Sequence, residues 1–336
     1  MPWKGEKDPY RIWLSEIILQ QTRVEQGLKY YNNFISTFPD IFSLASAPEE
    51  KVFKLWEGLG YYSRCRNLIA TARYIATERK GIFPDTYEDI KALKGIGPYT
   101  AAAISSFAYQ LPHAVVDGNV FRVLSRISGS DLPIDSTEGK KYFTTLANEL
   151  LDRKQPGIYN QAIMDFGAIV CKPAAPLCTD CVFNKTCHAF LQNKVNELPV
   201  REKKISIRKR WFYYIIISYK DQLIIRQRTE KDIWQQLYEF PLVEEGSDSP
   251  VSQTLLRAEK SGWLKKNSYQ LTTTSPVFRQ QLSHQLIAGR FISITLKSKP
   301  SLPSGWKWIK KSDISAYAFP GFINQYLSNP HEQSLF

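Results

Sequence analysis

An all-helical domain followed by a smaller mixed α/β domain is the fold class this sequence predicts, and three observations carry it. The chain has 336 residues, enough for two bodies that each bury an apolar core. From Pro9 to about Leu191 the apolar residues recur at helical spacings, with breaks where Pro and Gly cluster, as in "TFPD", "GIFPDTYEDI", "SDLPIDS" and "KQPGIY". Beyond a polar, charged stretch the pattern changes to strand-length runs of β-branched and aromatic residues. The expected boundaries are residues 1–190 for the helical domain, 191–208 for a linker and 209–336 for the second domain.

Each element has its own justification. "PYRIWLSEIILQQTRV" carries Leu14, Ile17 and Ile18 as one stripe that continues through Val24 and Leu28, which predicts a helix with Glu16 partly buried beside Trp13 and Gln20. "GYYSRCRNLIATARYI" sets Arg64, Arg66 and Arg73 among apolar helix positions, a surface for an anion or for ordinary salt bridges, and its lone Cys65 reads as a small buried hydrophobe. In "LKGIGPYTAAAISSFAY", Gly95 and Gly97 permit a tight turn between helices, and the helix after Pro98 opens with outward N–H groups suited to an anion. "AVVDGNVFRVLSRI" places Asp117 at the mouth of the next helix, where an Asp alone is an N-cap. "YFTTLANELL" and "YNQAIMDFGAIV" complete the helical pattern. "LQNKVNELPVREKKISIRKR" then reads as a linker with a basic face. In the second domain "WFYYIIIS", "QLIIRQR" and "GRFISITL" read as strands, "SQTLLRAEKSGWL" and "GFINQYL" as helices, and "EEGSDSPVS" as a loop.

Composition narrows the function classes. A formal net charge of +12 favours a polyanionic partner, nucleic acid above all. No apolar run approaches the roughly 18 residues that span a bilayer, and the start has no secretory signal, so the expectation is a cytoplasmic protein with no membrane partner. Four of the five cysteines crowd between Cys171 and Cys187, which reads as a metal site in a reducing compartment and not as a disulfide framework. The spacing, Cys171, six residues, Cys178, two, Cys181, five, Cys187, suits a cubane iron–sulfur cluster held by four thiolates. Tetrahedral zinc is the alternative, although such zinc sites more often pair two Cys-x-x-Cys knuckles and here only Cys178 and Cys181 form one.

The carboxylates carry the chemistry. A phosphate-gripping turn holds a nucleic-acid backbone without reading bases, and an acid shortly beyond it is placed to face a sugar. The N-glycosidic bond of a nucleoside breaks through a sugar cation, so Asp117 beside C1′ would stabilise developing positive charge. Glu16, in apolar surroundings, would have a raised pKa and donate a proton near neutrality.

Taken together, "SEIILQQTRV", "GLGYYSR", "LKGIGPYTAAA", "VDGNVFRVLSR" and the cysteine loop closely resemble adenine DNA glycosylases of the MutY family, within the helix-hairpin-helix glycosylase superfamily. The resemblance implies a helix-hairpin-helix catalytic domain with a 4Fe-4S cluster on Cys171, Cys178, Cys181 and Cys187, and a C-terminal Nudix-like domain. It implies a monomeric base excision repair enzyme acting on duplex DNA that contains adenine opposite 8-oxoguanine or guanine. By the same resemblance Glu16 protonates adenine at N7 and later helps activate water, and Asp117 stabilises the sugar cation or forms a transient adduct. Tyr99 and Asn119 match residues that support the two carboxylates. Gln21 and Tyr61 match residues that wedge into the stack, with Arg64 and Arg66 available to phosphates, and Thr22 matches a residue that contacts the oxidised guanine. Tyr99 stands where strand-cutting members carry a lysine for Schiff-base chemistry, which a phenol cannot perform, so a monofunctional enzyme is implied; Lys94 nearby is the candidate for slow residual cleavage. In "RQQLSHQLIAG", Ser283 and His284 match a loop that contacts 8-oxoguanine, and Leu282 stands where the family often has an aromatic residue. The glutamate-rich Nudix hydrolase signature is absent, which implies recognition without pyrophosphate hydrolysis. The family also has a further helix ahead of "PWK", a departure that bears on packing and not on the catalytic positions. A lesion sensor without catalysis would need neither Glu16 nor Asp117.

Overall fold

A computed structural model describes residues 2–202 and 206–329. The chain forms two compact units, one of Met1–Ala47 with Arg66–Lys204, the other of Pro48–Cys65 with Ile205–Phe336. The helices up to the cysteine loop are α1 (Pro9–Leu19), α2 (Val24–Thr37), α3 (Ile41–Ala45), α4 (Glu49–Trp56), α5 (Tyr62–Glu78), α6 (Tyr87–Ala92), α7 (Pro98–Tyr109), α8 (Gly118–Ser128), α9 (Thr137–Leu150) and α10 (Pro156–Ile169). A short α11 (His188–Leu191) follows it.

The helical stretch expected to run through Val24 is interrupted after Leu19. Gln21 adopts a left-handed conformation with φ 55, and Thr22 N–H donates to Leu19 O at 3.1 Å, so Gln20 to Arg23 form a turn. α1 packs against α7, and Ala101, Ala102 and Ala103 on α7 are buried. The packing brings Gln20, just past the end of α1, within bonding range of Thr100 on α7. Asn160 on α10 is fully buried and organises the extended chain ahead of α8: its Oδ1 accepts from Val115 N–H at 3.1 Å, and its Nδ2 donates to Ser106 Oγ and His113 O, each at 2.9 Å. The stretch read as a linker is tied to the helical unit as far as Glu202. Arg126 Nε donates to Leu198 O at 3.0 Å, Ile134 N–H to Val200 O at 3.0 Å and Glu202 N–H to Asp135 Oδ1 at 3.0 Å.

The second unit is built on an eight-stranded sheet. Its strands are β1 (Arg208–Tyr219), β2 (Gln222–Gln227), β3 (Tyr238–Glu239), β4 (Leu242–Glu245), β5 (Tyr269–Thr274), β6 (Phe278–Gln281), β7 (Gln285–Leu296) and β8 (Trp306–Lys310), with α12 (Val251–Lys260) after β4 and α13 (Gly321–Leu327) after β8. The two long strands β1 and β7 pair in parallel, Tyr213 opposite Arg290 and Ile217 opposite Ile294. β1 is buried on both faces, which is why it reads as a continuous apolar run without alternation. Tyr213, Ile215 and Ile217 join a core with Leu255 and Ala258 of α12. On the aromatic side Tyr214 stacks on Phe291, and Phe291 stacks on Phe322 and Tyr326 of α13. Among the described residues no helix is long and apolar enough to cross a membrane.

Candidate active site

Burial of α1 on α7 takes Glu16 out of water; its residue exposure is 8%. Its carboxyl is hydrogen-bonded to the Tyr99 hydroxyl, on the first turn of α7. Desolvation pushes its pKa up to about 7, with the charge of Asp117 adding to the rise and the Tyr99 bond opposing it. Tyr99 itself is raised well above the usual phenol range, by burial first and then by the charges of Glu16 and Asp117. It is therefore a neutral hydroxyl donor. One turn along α1, Gln20 Nε2 donates to Thr100 Oγ1 at 3.2 Å.

Asp117 is the N-cap of α8, as its position predicts, and it is more tightly held than a cap requires. Oδ1 accepts from Asn119 N–H at 2.9 Å and Val120 N–H at 2.8 Å, while Oδ2 accepts from Asn119 Nδ2 at 2.7 Å. Asn119 is oriented in turn by Arg122, whose Nη2 donates to its Oδ1 at 2.9 Å. The same guanidinium donates to Gly167 O at 2.7 Å and, through Nε, to Cys171 O at 2.8 Å. α10 comes this close because residue 167 is glycine: a Cβ there would lie 2.7 Å from the Cβ of Asn119. Glu16, Tyr99, Asp117 and Asn119 thus form one constellation, a proton-bearing acid facing a second carboxylate fixed by backbone and amide donors.

The turn ahead of α7 has the expected form, with one refinement. Gly95 is left-handed at φ +80, and a Cβ there would meet Asn67 at 2.6 Å, so this position requires glycine. Gly97 has an ordinary φ of −94 as N-cap of α7. A Cβ at 97 would meet nothing within 4 Å, so glycine there leaves open the approach to a helix start that no side chain caps.

Comparison with known proteins places this geometry. Residues 14–150 match the family of HhH-GPD superfamily base excision DNA repair proteins, and residues 212–329 match the NUDIX domain family. An adenine DNA glycosylase of Buchnera aphidicola subsp. Baizongia pistaciae is 34% identical over 291 residues, covering 84% of this chain and 78% of that protein. The chain belongs to the adenine DNA glycosylase family. The mouse adenine DNA glycosylase is 41% identical over 213 residues, 60% of this chain and 41% of that protein. The solved structure of a thermostable thymine-DNA glycosylase superposes with a TM-score of 0.54 at 29% identity, covering 57% of this chain and 88% of that one.

The remaining residues implied by membership of this glycosylase family fall in three places. Gln21 is exposed and Thr22 half-buried in the turn after α1, with Thr22 Oγ1 donating to Gln20 O at 3.3 Å. Tyr61 and Ser283 lie in the second unit, bonded hydroxyl to hydroxyl. Tyr61 is left-handed at φ 47, and the Arg64 guanidinium sits over its ring at 5.5 Å and over the Trp56 ring at 5.3 Å. Arg64, read from sequence as available to phosphates or to partners within the chain, has aromatic partners here in the Trp56 and Tyr61 rings. Leu282 to Gln285 form the turn between β6 and β7, closed by Leu282 N–H on Gln285 O at 2.7 Å, and the exposed His284 accepts through its carbonyl from Arg208 N–H at 2.9 Å.

Cys171, Cys178, Cys181 and Cys187 are all free thiols and line a common pocket walled by Ile127, Phe166, Val170, Leu177 and Phe190. Arg126 Nη1 donates to Cys171 Sγ at 3.5 Å, and Phe183 N–H donates to Cys181 Sγ at 3.4 Å. Among the described residues no three His, Cys, Asp or Glu side chains are arranged to hold a metal ion. Cys65 is fully buried in α5, as expected of a small hydrophobe.

Sequence reasoning missed Arg122 and Asn160. Arg122 and Arg126 repeat at i and i+4 among the apolar positions of α8, and both are buried, at 8% and 3% exposure. Arginine is seldom buried without partners, so that repeat was the available signal. Asn160 had none, standing beside a second amide, Gln161, in a largely apolar stretch.

Proposed function

We propose that this chain removes adenine paired with 8-oxoguanine or guanine in duplex DNA, as a monofunctional glycosylase and a monomer. The observation that carries the reading is the pair of unlike carboxyls: Glu16 buried and raised to about 7, Asp117 held by three donors. Glu16 gives its proton to N7 of the extruded adenine. The electron pair of the C1′–N9 bond leaves with the base, and Asp117 stabilises the cation left on the sugar. Water adds to C1′ and its proton passes to the Glu16 carboxylate, restoring the acid. Tyr99 orients Glu16 as a neutral donor and supplies no amine for a Schiff base, so the strand stays whole. Extrusion costs a few kcal/mol of stacking and pairing, which backbone contacts at Gly95 and Gly97 and wedging by Gln21 and Tyr61 offset. Thr22, Ser283 and His284 read the opposing base.

The donor set, four thiols of one loop lining a common pocket with a single Cys-x-x-Cys pair among them, fits a polynuclear iron–sulfur cluster. A 4Fe-4S cluster held by Cys171, Cys178, Cys181 and Cys187 would supply four covalent clamps and a redox-active centre. In the Nudix-like unit the adjacent glutamates are ion-paired, Glu244 to Arg210 at 2.6 Å and Glu245 to Arg257, which favours recognition over pyrophosphate hydrolysis.

A single-turnover assay on a duplex with one adenine opposite 8-oxoguanine tests the reading, each sample being divided before treatment with hot alkali. Strand breaks are expected only after alkali. Breaks without alkali would overturn the monofunctional assignment, and none in either sample would overturn base excision.

A further inference from the structure

Helix α4 and the turn after it precede the second unit by more than a hundred residues of chain, yet Pro48–Cys65 belongs to the same compact body as Ile205–Phe336. One side chain of this segment joins it directly to the C-terminal helix. Glu57, 16% exposed, accepts through Oε1 from the backbone N–H of Phe319 at 2.7 Å and from Asn324 Nδ2 at 2.9 Å, and through Oε2 from Lys54 Nζ at 2.6 Å. Lys54 donates onward to Tyr317 O at 3.0 Å. Oε1 of this half-buried carboxylate is thus committed to α13 and the chain leading into it, and Oε2 holds Lys54 of α4, which reaches the same chain at Tyr317.

The same segment meets this body again four residues later, where Tyr61 bonds Ser283. The two attachments are linked through the fold. Asn324 is on α13, whose Tyr326 ring packs on Phe278 of β6 at 5.9 Å, and β6 ends in the turn that holds Ser283. Gly58 and Gly60 lie between the attachments and are left-handed at φ 91 and 74, which glycine adopts freely, and Tyr61 at the second attachment is left-handed at φ 47. For a tyrosine such backbone persists only where surrounding contacts hold it.

We infer that Glu57 is a positioning residue for lesion recognition: by gripping α13 it fixes the Gly58–Tyr61 turn, so that Tyr61 and Ser283 are presented as one pre-assembled surface. The inference rests on the reading that Tyr61 and Ser283 meet the lesion pair. It makes the C-terminal unit a support for Tyr61 as well as a reader of the opposing base.

The test uses the full-length protein and two duplexes carrying a non-cleavable adenine analogue, opposite 8-oxoguanine in one and guanine in the other. Glu57→Ala is expected to reduce the preference for 8-oxoguanine by about tenfold, the fold-change of one charge-assisted hydrogen bond. Glu57→Gln, which keeps one acceptor oxygen, should fall between wild type and Ala. Single-turnover excision at saturating enzyme should change by less than about twofold, since Glu57 does not touch the reacting atoms. Tyr61→Ala should cost less preference in the Glu57→Ala background than in wild type. Equal costs in both backgrounds would overturn the inference while leaving Tyr61 at the lesion. No effect of Tyr61→Ala in wild type would overturn the underlying placement and the inference with it. Should Glu57→Ala fold poorly, Asn324→Ala removes one of the bonds from the opposite element and is expected to show the same non-additivity with Tyr61→Ala; additivity there overturns the inference equally.

Discussion

Replacing Glu16 by glutamine should abolish base release and, above neutral pH, stabilise the protein. Burial raises the Glu16 carboxyl from the ordinary 4.5 to about 7. At about 1.4 kcal/mol per unit, the ionised side chain costs about 3 kcal/mol more in the folded than in the unfolded protein. The sign follows from where each state ionises. Below pH 4.5 both states hold the proton and the group contributes its full stability. Between 4.5 and 7 the unfolded chain ionises while the folded one keeps its proton, and stability is lost until the folded carboxyl ionises too. Glutamine keeps an acceptor for the Tyr99 hydroxyl and has no proton to lose. Urea unfolding of both proteins, followed by circular dichroism from pH 5 to 8.5, should show Glu16→Gln gaining about 2 to 3 kcal/mol relative to wild type across that range. Wild-type excision should fall roughly tenfold per pH unit above 7 over the same range. Parallel stability profiles for the two proteins would refute the reasoning, because they would mean that Glu16 ionises in the fold as a solvated carboxylate does.

Arg122→Leu leaves Asn119 Oδ1, Gly167 O and Cys171 O without their shared donor, so single-turnover excision should drop by roughly tenfold or more through the misoriented Asp117, with duplex binding retained. Gly95→Ala forces a Cβ against Asn67 at φ +80; it should destabilise by about 1–3 kcal/mol and weaken binding to all duplexes alike, measured by titration against lesion and non-lesion DNA. Cys178→Ser should remove the visible absorbance and the iron content of the purified protein, whereas a zinc site would give a colourless wild type with zinc in its place.

The constellation was legible in part because its members are announced locally. Glu16 on an apolar helix, Asp117 ahead of Gly118-Asn119, the Gly95-Gly97-Pro98 turn and the spacing of Cys171, Cys178, Cys181 and Cys187 are each short-range patterns, and short-range patterns are what periodicity and capping rules read. The same holds for the change from helical to strand periods near Arg208, which follows from residue type alone.

Only the tertiary structure decided the rest, since contacts between distant parts of a chain leave no period in the sequence. Tyr99 reaches Glu16 because α1 packs on α7; Arg122 reaches Cys171 because Gly167 admits α8. The raised pKa of Glu16 comes first from burial that no local pattern measures and then from the charge of Asp117, 101 positions away, against the opposing hydrogen bond of Tyr99, 83 positions away. The Arg64 guanidinium came to lie over the Tyr61 ring, and Pro48–Cys65 joined the C-terminal unit with Glu57 bonded to Phe319 and Asn324. A carboxylate cannot be buried without donors, and which donors satisfied it depended on the fold.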